Sequence, residues 1–325
     1  MIDTIRASMQ ILIDWMDWQG CGWKSKKQKN ADYKYKTVKL QNGASIRLEY
    51  YFTQCLVLYF SAASVQNGDN AIPYNFEKWQ AVENQIKEVL IDELYLDVDL
   101  ACFNVCRLDL NKDFSFSTAQ QADDFLLFTG KILPARNERR RDYKSGIRSQ
   151  SKKGKGFRVY RKDVECGKLP PTVRFEFQLT KYKLSVLYGK RKLTLHDVLK
   201  NQLLMQRTWN KLIAEYNLNL KICNDAELEK IAKKHLTKSE IATLTEMNNN
   251  PSFNDKNRRA KELALIRKLR AIGICPYSLN EKVIFQEDIL KTIRRNGRCV
   301  ITNYTITPIL STKRYYQARW YLDSS

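Results

Sequence analysis

Tyr160 stands between two cations, Arg158 and Lys162, in the stretch GFRVYRKDVE, residues 156–165, with Glu165 five positions further on. A phenol is a nucleophile only as its anion. With a pKa near ~10, tyrosine is about 0.1 % ionised at pH 7, and neighbouring cations favour the phenolate. That pattern suits attack on a phosphate. Breaking a phosphodiester also requires neutralisation of its non-bridging oxygens and help for the leaving 3′ oxygen. A divalent ion held by carboxylates supplies both, and hard oxygen donors such as Asp109 and Glu176 suit Mg2+ or Mn2+. The same residues also fit a solvated strand face, with Asp109 paired to Arg107 and Glu176 to Arg174. Tyr143 and Tyr182 compete with Tyr160 for the nucleophile's role.

Three strand-like segments must position these groups. Side chains alternate across a strand. In 173–179, Val173, Phe175, Phe177 and Leu179 form one face, and Arg174, Glu176 and Gln178 the other. In 156–162, Phe157 and Val159 point to the core while Arg158, Tyr160 and Lys162 point out. In 103–110, Asp109 shares a face with Arg107. If the three strands are neighbours, their ionic faces form one site. Glu165 falls off Tyr160's face if its strand stays regular.

Around them the chain reads as α+β with a largely antiparallel sheet and flanking helices, followed by a smaller, mainly helical part. YKYKTVKL, SIRLEYYF and CLVLYFSA are consecutive strands, with Asn42-Gly43 as the hairpin signal between the first two. Helical spacing runs from Phe76 to Leu94, and Ser117 is placed to cap a helix through Ile132. Residues 135–156 lack an apolar period and read as a loop. Thr194 with Asp197 opens a long helix through Ile213. Beyond about residue 225 the reading is helical over 224–234, 237–247, 255–272 and 286–296, then strand-like over 299–306 and 314–322. Two domains are expected, 1–225 and 226–325.

Charge narrows the function. The chain of 325 residues carries 56 Lys and Arg against 35 Asp and Glu, a net +21, and such an excess points to a polyanionic partner. Residues 131–168 hold 14 cations against 4 anions, and 250–325 hold 15 against 6. The first zone offers Arg139, Arg140, Arg141, Lys144, Arg148, Lys152, Lys153 and Lys155 for DNA phosphates. Eight cysteines are scattered without metal spacing, and Cys102 and Cys106 are expected on one side of a strand as reduced core residues. No apolar run of about 18 residues suggests a membrane span. The start MIDTIRASMQ has no secretion signal, so a cytoplasmic location is expected.

The opening Met1-Ile2-Asp3, CRLDL (106–110), FRVYRKDVE (157–165) and VRFEFQLTKYKL followed by LTLHDVL (173–199) resemble, in that order, the replication-initiation endonucleases of filamentous phages. These are the gene II protein group, with relatives among rolling-circle plasmid initiators. The resemblance spans roughly residues 1–215. It implies that Tyr160, in the Tyr-x-Lys-x-x-Glu strand, is the nucleophile of a nickase that starts rolling-circle replication. It also implies double-stranded origin DNA and the nicked single strand as substrates, with host helicase and DNA polymerase as partners in a bacterial cytoplasm. Related nickases hold their metal with a His-hydrophobe-His pair. Here His196 and His235 are not so arranged, so the expected ligands are Asp109, Glu176 and Glu165. Gly68 and Asn70 keep the Gly-x-Asn of the group's early loop. The rival reading is a non-catalytic DNA-binding regulator of replication or transcription.

Overall fold

In a computed structural model, the described residues are 2–14, 18, 20–28, 31–132, 138–143, 146–151, 155–167, 169–189, 192–215, 223–249, 256–278, 304–309 and 317–322. Ten strands make one sheet: β1 (Ile2–Gln10), β2 (Lys24–Gln28), β3 (Ala31–Lys39), β4 (Ser45–Tyr51), β5 (Cys55–Ser61), β6 (Asn104–Ser115), β7 (Glu138–Tyr143), β8 (Gly146–Ser151), β9 (Lys155–Arg161) and β10 (Thr172–Thr180). Their spatial order is β2-β3-β4-β5-β1-β6-β10-β9-β8-β7, and every pairing is antiparallel. The expected α+β architecture holds. The strands bearing Asp109, Glu176 and Tyr160 are consecutive in space, which lets their ionic faces merge.

The sheet's period-2 pattern separates two chemistries. One face supplies Ile5, Leu48, Leu58, Leu108, Phe157, Phe175 and Phe177 to the core. Burying each such side chain is worth roughly 1.5–3 kcal/mol. The helices that contribute to the core are α1 (Ala62–Asn67), α2 (Trp79–Leu94), α3 (Ala119–Ile132), α5 (Lys181–Tyr188), α6 (Leu195–Lys200) and α7 (Gln202–Glu215), while the short α4 (Lys162–Cys166) buries only Lys162. Among their core residues are Ile86, Phe125, Leu199 and Trp209. Trp209 meets Phe177 edge-on at 4.9 Å. The opposite face carries Arg47, Tyr59, Arg6, Arg107, Asp109, Glu176, Arg158 and Tyr160, placed together by the pairing register.

Four local expectations are corrected. Residues 135–156 are not simply a loop: β7 and β8 form a hairpin that extends the sheet beyond β9. Pairing with β9 satisfies the backbone there without an apolar period, and Ile147 packs opposite Val159. The helix opened by the Thr194–Asp197 capping box breaks at Asn201, whose side chain caps α7 by accepting from the Leu204 amide at 2.9 Å. Thr118, not Ser117, caps α3, accepting from the Gln121 amide at 3.2 Å. Cys102 is exposed in a 3-10 turn, so it does not share a strand face with Cys106.

C-terminal to these lie α8 (Asp225–His235), α9 (Lys238–Asn249) and α10 (Lys256–Ala271), which bury Leu228, Ala232, Leu244, Met247, Leu265 and Leu269. A two-stranded sheet pairs β11 (Tyr304–Ile309) with β12 (Gln317–Leu322). The helix expected at 286–296 lies outside the described residues. No helix among the described residues is long and apolar enough to cross a membrane.

Candidate active site

Tyr160 lies on β9 opposite Arg174 of β10 on one side and Gly146 of β8 on the other. The glycine is required by a close approach. A Cβ at position 146 would stand 2.6 Å from the Tyr160 Cβ and 2.7 Å from the Val159 carbonyl oxygen. Beside the ring, the Arg158 guanidinium lies 4.8 Å from its centroid. The phenol donates towards Glu176 Oε2 at 3.5 Å. Glu176 is 2 % exposed and also accepts from Gln178 Nε2 at 2.9 Å and from Arg158 at 3.4 Å.

The electrostatics differ from the simple expectation. Burial first, and then the Glu176 charge, push the Tyr160 phenol above its ordinary value, against the opposing pull of Arg174 and Arg158. Desolvation outweighs the cations because the neutral phenol loses least on leaving water. Burial also raises Glu176 to about 7, aided by Asp109 and Asp3, although Arg158 opposes it. Tyr160 is therefore held neutral, beside a carboxyl group whose charge changes near neutral pH.

Asp109 is 1 % exposed on β6. Arg107 grips it with two bonds of 3.0 and 2.6 Å, as the strand spacing anticipates. Burial nevertheless raises its carboxyl, and Asp3 adds to the rise. Asp3, on β1, accepts from Ser61 Oγ at 3.0 Å and lies 3.9 Å from Arg174 Nη1. Asp3 thus raises both Asp109 and Glu176, and Asp109 raises Glu176, a repulsion that a divalent cation would relieve.

A second, buried layer fixes this geometry. Arg174 is 0 % exposed and makes two 2.6 Å bonds to Asp113 and one of 3.0 Å to the Asn70 carbonyl. The anticipated Glu176–Arg174 pair is therefore replaced by Arg174–Asp113 and Arg158–Glu176. Lys162 does not face solvent with Tyr160. The strand ends at Arg161, and Lys162 starts α4 with 1 % exposure. Its ammonium is bonded by Glu165 at 2.5 Å and Asn70 Oδ1 at 2.8 Å. That helical turn brings Glu165 back within electrostatic reach of Tyr160, but as the half-exposed partner of Lys162. Asn70 follows Gly68, whose φ of +88° ends α1 and whose missing Cβ allows contact with Asn42.

Neither Asp109, Glu176 and Glu165 nor Asp3, Asp109 and Glu176 converge as a three-ligand group. Among the described residues, the group whose ligand atoms all lie within 4.8 Å of one another is Glu83, Asp99 and His196. It could hold a metal ion, although Lys87 already pairs with Glu83 at 3.0 Å. Of the expected phosphate-binding cations, Arg148 faces Arg158 across β8–β9. Its Nε is buried without a hydrogen-bond partner. Arg139, Arg140 and Arg141 lie on β7 and Lys155 on β9, while Lys144, Lys152 and Lys153 lie outside the described residues. Tyr182 is exposed on α5, and Tyr143 ends β7.

No protein-family model matches the chain, and no curated protein is similar to it in sequence. Among solved structures, the chain is similar to a rolling circle replication initiator protein from Geobacillus stearothermophilus. The two share 12 % identity with a TM-score of 0.37, over 66 % of this chain and 83 % of that one.

Proposed function

We propose that this protein is a DNA strand-transferase of the rolling-circle type, which nicks one strand and later rejoins it through Tyr160. The carrying observation is the Tyr160–Glu176 contact of 3.5 Å inside a site rich in arginine. In the proposed step, Tyr160 Oη attacks the phosphorus of one phosphodiester and its proton passes to Glu176 Oε2. The P–Oη bond forms as the P–O3′ bond breaks, leaving a 5′-phosphotyrosyl link and a free 3′-OH. The departing 3′ oxygen takes a proton from Glu176 or water. Reversal joins strands without ATP, because the phosphotyrosine retains the bond energy.

Each neighbour then has a task. Arg158 lies against the attacking ring. Arg148 stands opposite Arg158 in the strand register, so the pair concentrates positive charge beside Tyr160 for a phosphate to neutralise. Asp3 and Asp109, with Glu176 alongside, have the hard-oxygen chemistry for Mg2+ or Mn2+. Their ligand atoms do not gather within 4.8 Å of one another and Arg107 holds both Asp109 oxygens, so an ion there would have to draw Asp109 away from Arg107. When bound, that ion would polarise the phosphate. Glu165 fits this role poorly, being committed to Lys162. The basic strands β7–β9 would guide the origin duplex, and a host polymerase would extend the 3′-OH.

Incubation of supercoiled plasmids carrying candidate origins with the protein and Mg2+ tests this reading. The expected product is an open circle with protein bound to its 5′ end, absent when EDTA is in excess. Binding without any nick would make the protein a regulator, and nicking in EDTA would remove the metal from the mechanism.

A further inference from the structure

The ionic sheet face continues past the Tyr160 site into a groove of about 600 Å³ over β4, β5, β1 and β6. Arg6, Arg47, Arg107 and Lys181 line it, with Glu49 as the carboxylate among the lining residues. Glu49 is shared: Arg6 and Arg47 each bond it at 2.8 Å. Tyr51 bonds both Arg6, at 2.8 Å, and Glu49, at 3.0 Å. One carboxylate thus orients two guanidiniums without neutralising both. Tyrosine rings alternate with these cations. Tyr59 lies between Arg47 and Arg6 across the strands, Tyr182 borders the groove and is 56 % exposed, and Arg47 lies 4.4 Å over the Tyr35 ring.

Cations interleaved with accessible aromatic faces bind a polyanion that also has flat π surfaces, and single-stranded nucleic acid has both. A duplex hides its base faces and would use only the arginines. We infer that this groove binds the single strand adjoining the cleavage point, with its bases on Tyr59 and Tyr182 and its phosphates on Arg6, Arg47 and Lys181. The assignment of the strand rests on the nicking role proposed for Tyr160. The route is short. Arg107 faces Thr180 and Tyr160 faces Arg174, six residues away on the same strand. That is about 20 Å at ~3.3 Å per residue, or roughly six stacked nucleotides at ~3.4 Å each.

The test uses the full chain and its Tyr59→Leu, Tyr182→Ala and Arg47→Gln variants, each checked for folding by circular dichroism. Fluorescence anisotropy is measured on a labelled single strand about 16 nucleotides long and on the matching duplex. Each tyrosine change should weaken single-strand binding about tenfold and leave duplex binding within about twofold. Abasic sites up to about six nucleotides from the cut should remove the tyrosine effect. Unchanged single-strand affinity in Tyr59→Leu and Tyr182→Ala overturns the proposal, as does an equal loss on duplex. Folding failure in one variant leaves the other two to decide. If tyrosyl–DNA adducts form while these variants bind normally, the groove is wrong and the nickase stands. If the variants lose single-strand binding and no adduct ever forms, the groove stands without the nickase.

Discussion

Two ends of one sheet face handle charge in opposite ways. At β6–β10–β9, Arg174, Glu176 and Asp109 are removed from water and locked by partners. Asp113 on the neighbouring strand holds Arg174, while Gln178 and Arg107 hold Glu176 and Asp109 from their own strands. At β4–β5–β1, Arg6 and Arg47 keep 37 % and 30 % of their side chains exposed around Glu49. Burial is what moves protons. It lifts Glu176 to about 7 and the phenol above its ordinary range, whereas a half-solvated guanidinium remains a charge for a passing phosphate. The closed end is built for chemistry, and the open end for holding.

The largest break in that comparison comes at Glu176. Glu176→Gln should cut the nicking rate by about 10²–10⁴ with single-strand affinity unchanged. The wild-type rate should rise about tenfold per pH unit while Glu176 is protonated and level off once it is ionised, with the bend below about 7 when Mg2+ offsets the Asp109 and Asp3 charges. That rise should vanish in the variant. Stability moves the other way. Glu176's folded pKa is raised, so its contribution is full below the unfolded value and is lost as pH rises through about 7. Glu176→Gln should therefore equal or exceed the wild type in thermal stability at pH 8 in EDTA. A variant that is both inactive and less stable there would make Glu176 a packing residue.

A smaller effect sharpens the contrast between the ends. Arg174→Met strands the buried Asp3 and the partly buried Asp113 without their cation and should destabilise the fold by about 3–5 kcal/mol in urea titration. Arg47→Met removes a partly exposed partner of Glu49 and should cost about 1 kcal/mol or less. Similar losses at both positions would erase the distinction between a closed and an open end.

The closed end was legible where alternation is regular. Arg158 and Tyr160 on β9, Glu176 on β10 and Arg107 with Asp109 on β6 share the face that period 2 assigns them. Regularity failed at Lys162, because the strand turns into α4 and buries the ammonium. It failed again at β1, where register shifts between Ile2 and Ile5 and between Arg6 and Ala7 interrupt the pattern and hide Asp3 among mixed residues. Asn70, Asp113 and Gly146 act through contacts with residues far along the chain, which no local spacing reveals. Asp3 and Asn70 did leave a trace, in the opening Met-Ile-Asp and in Gly-x-Asn. The groove of Tyr59 and Arg47 left less, since its members come from strands whose order only the fold supplies.

The central claim is that Tyr160 becomes bonded to DNA. Wild-type protein and Tyr160→Phe are incubated with Mg2+ and an origin strand labelled on the 3′ side of the cut, then digested and mapped by mass spectrometry. The account predicts a single nucleotide-bearing peptide containing Tyr160, and no adduct in Tyr160→Phe despite DNA affinity within about twofold of wild type, since a surface dominated by Lys and Arg loses only one hydroxyl. An adduct that persists in Tyr160→Phe and maps to Tyr143 or Tyr182 would contradict it.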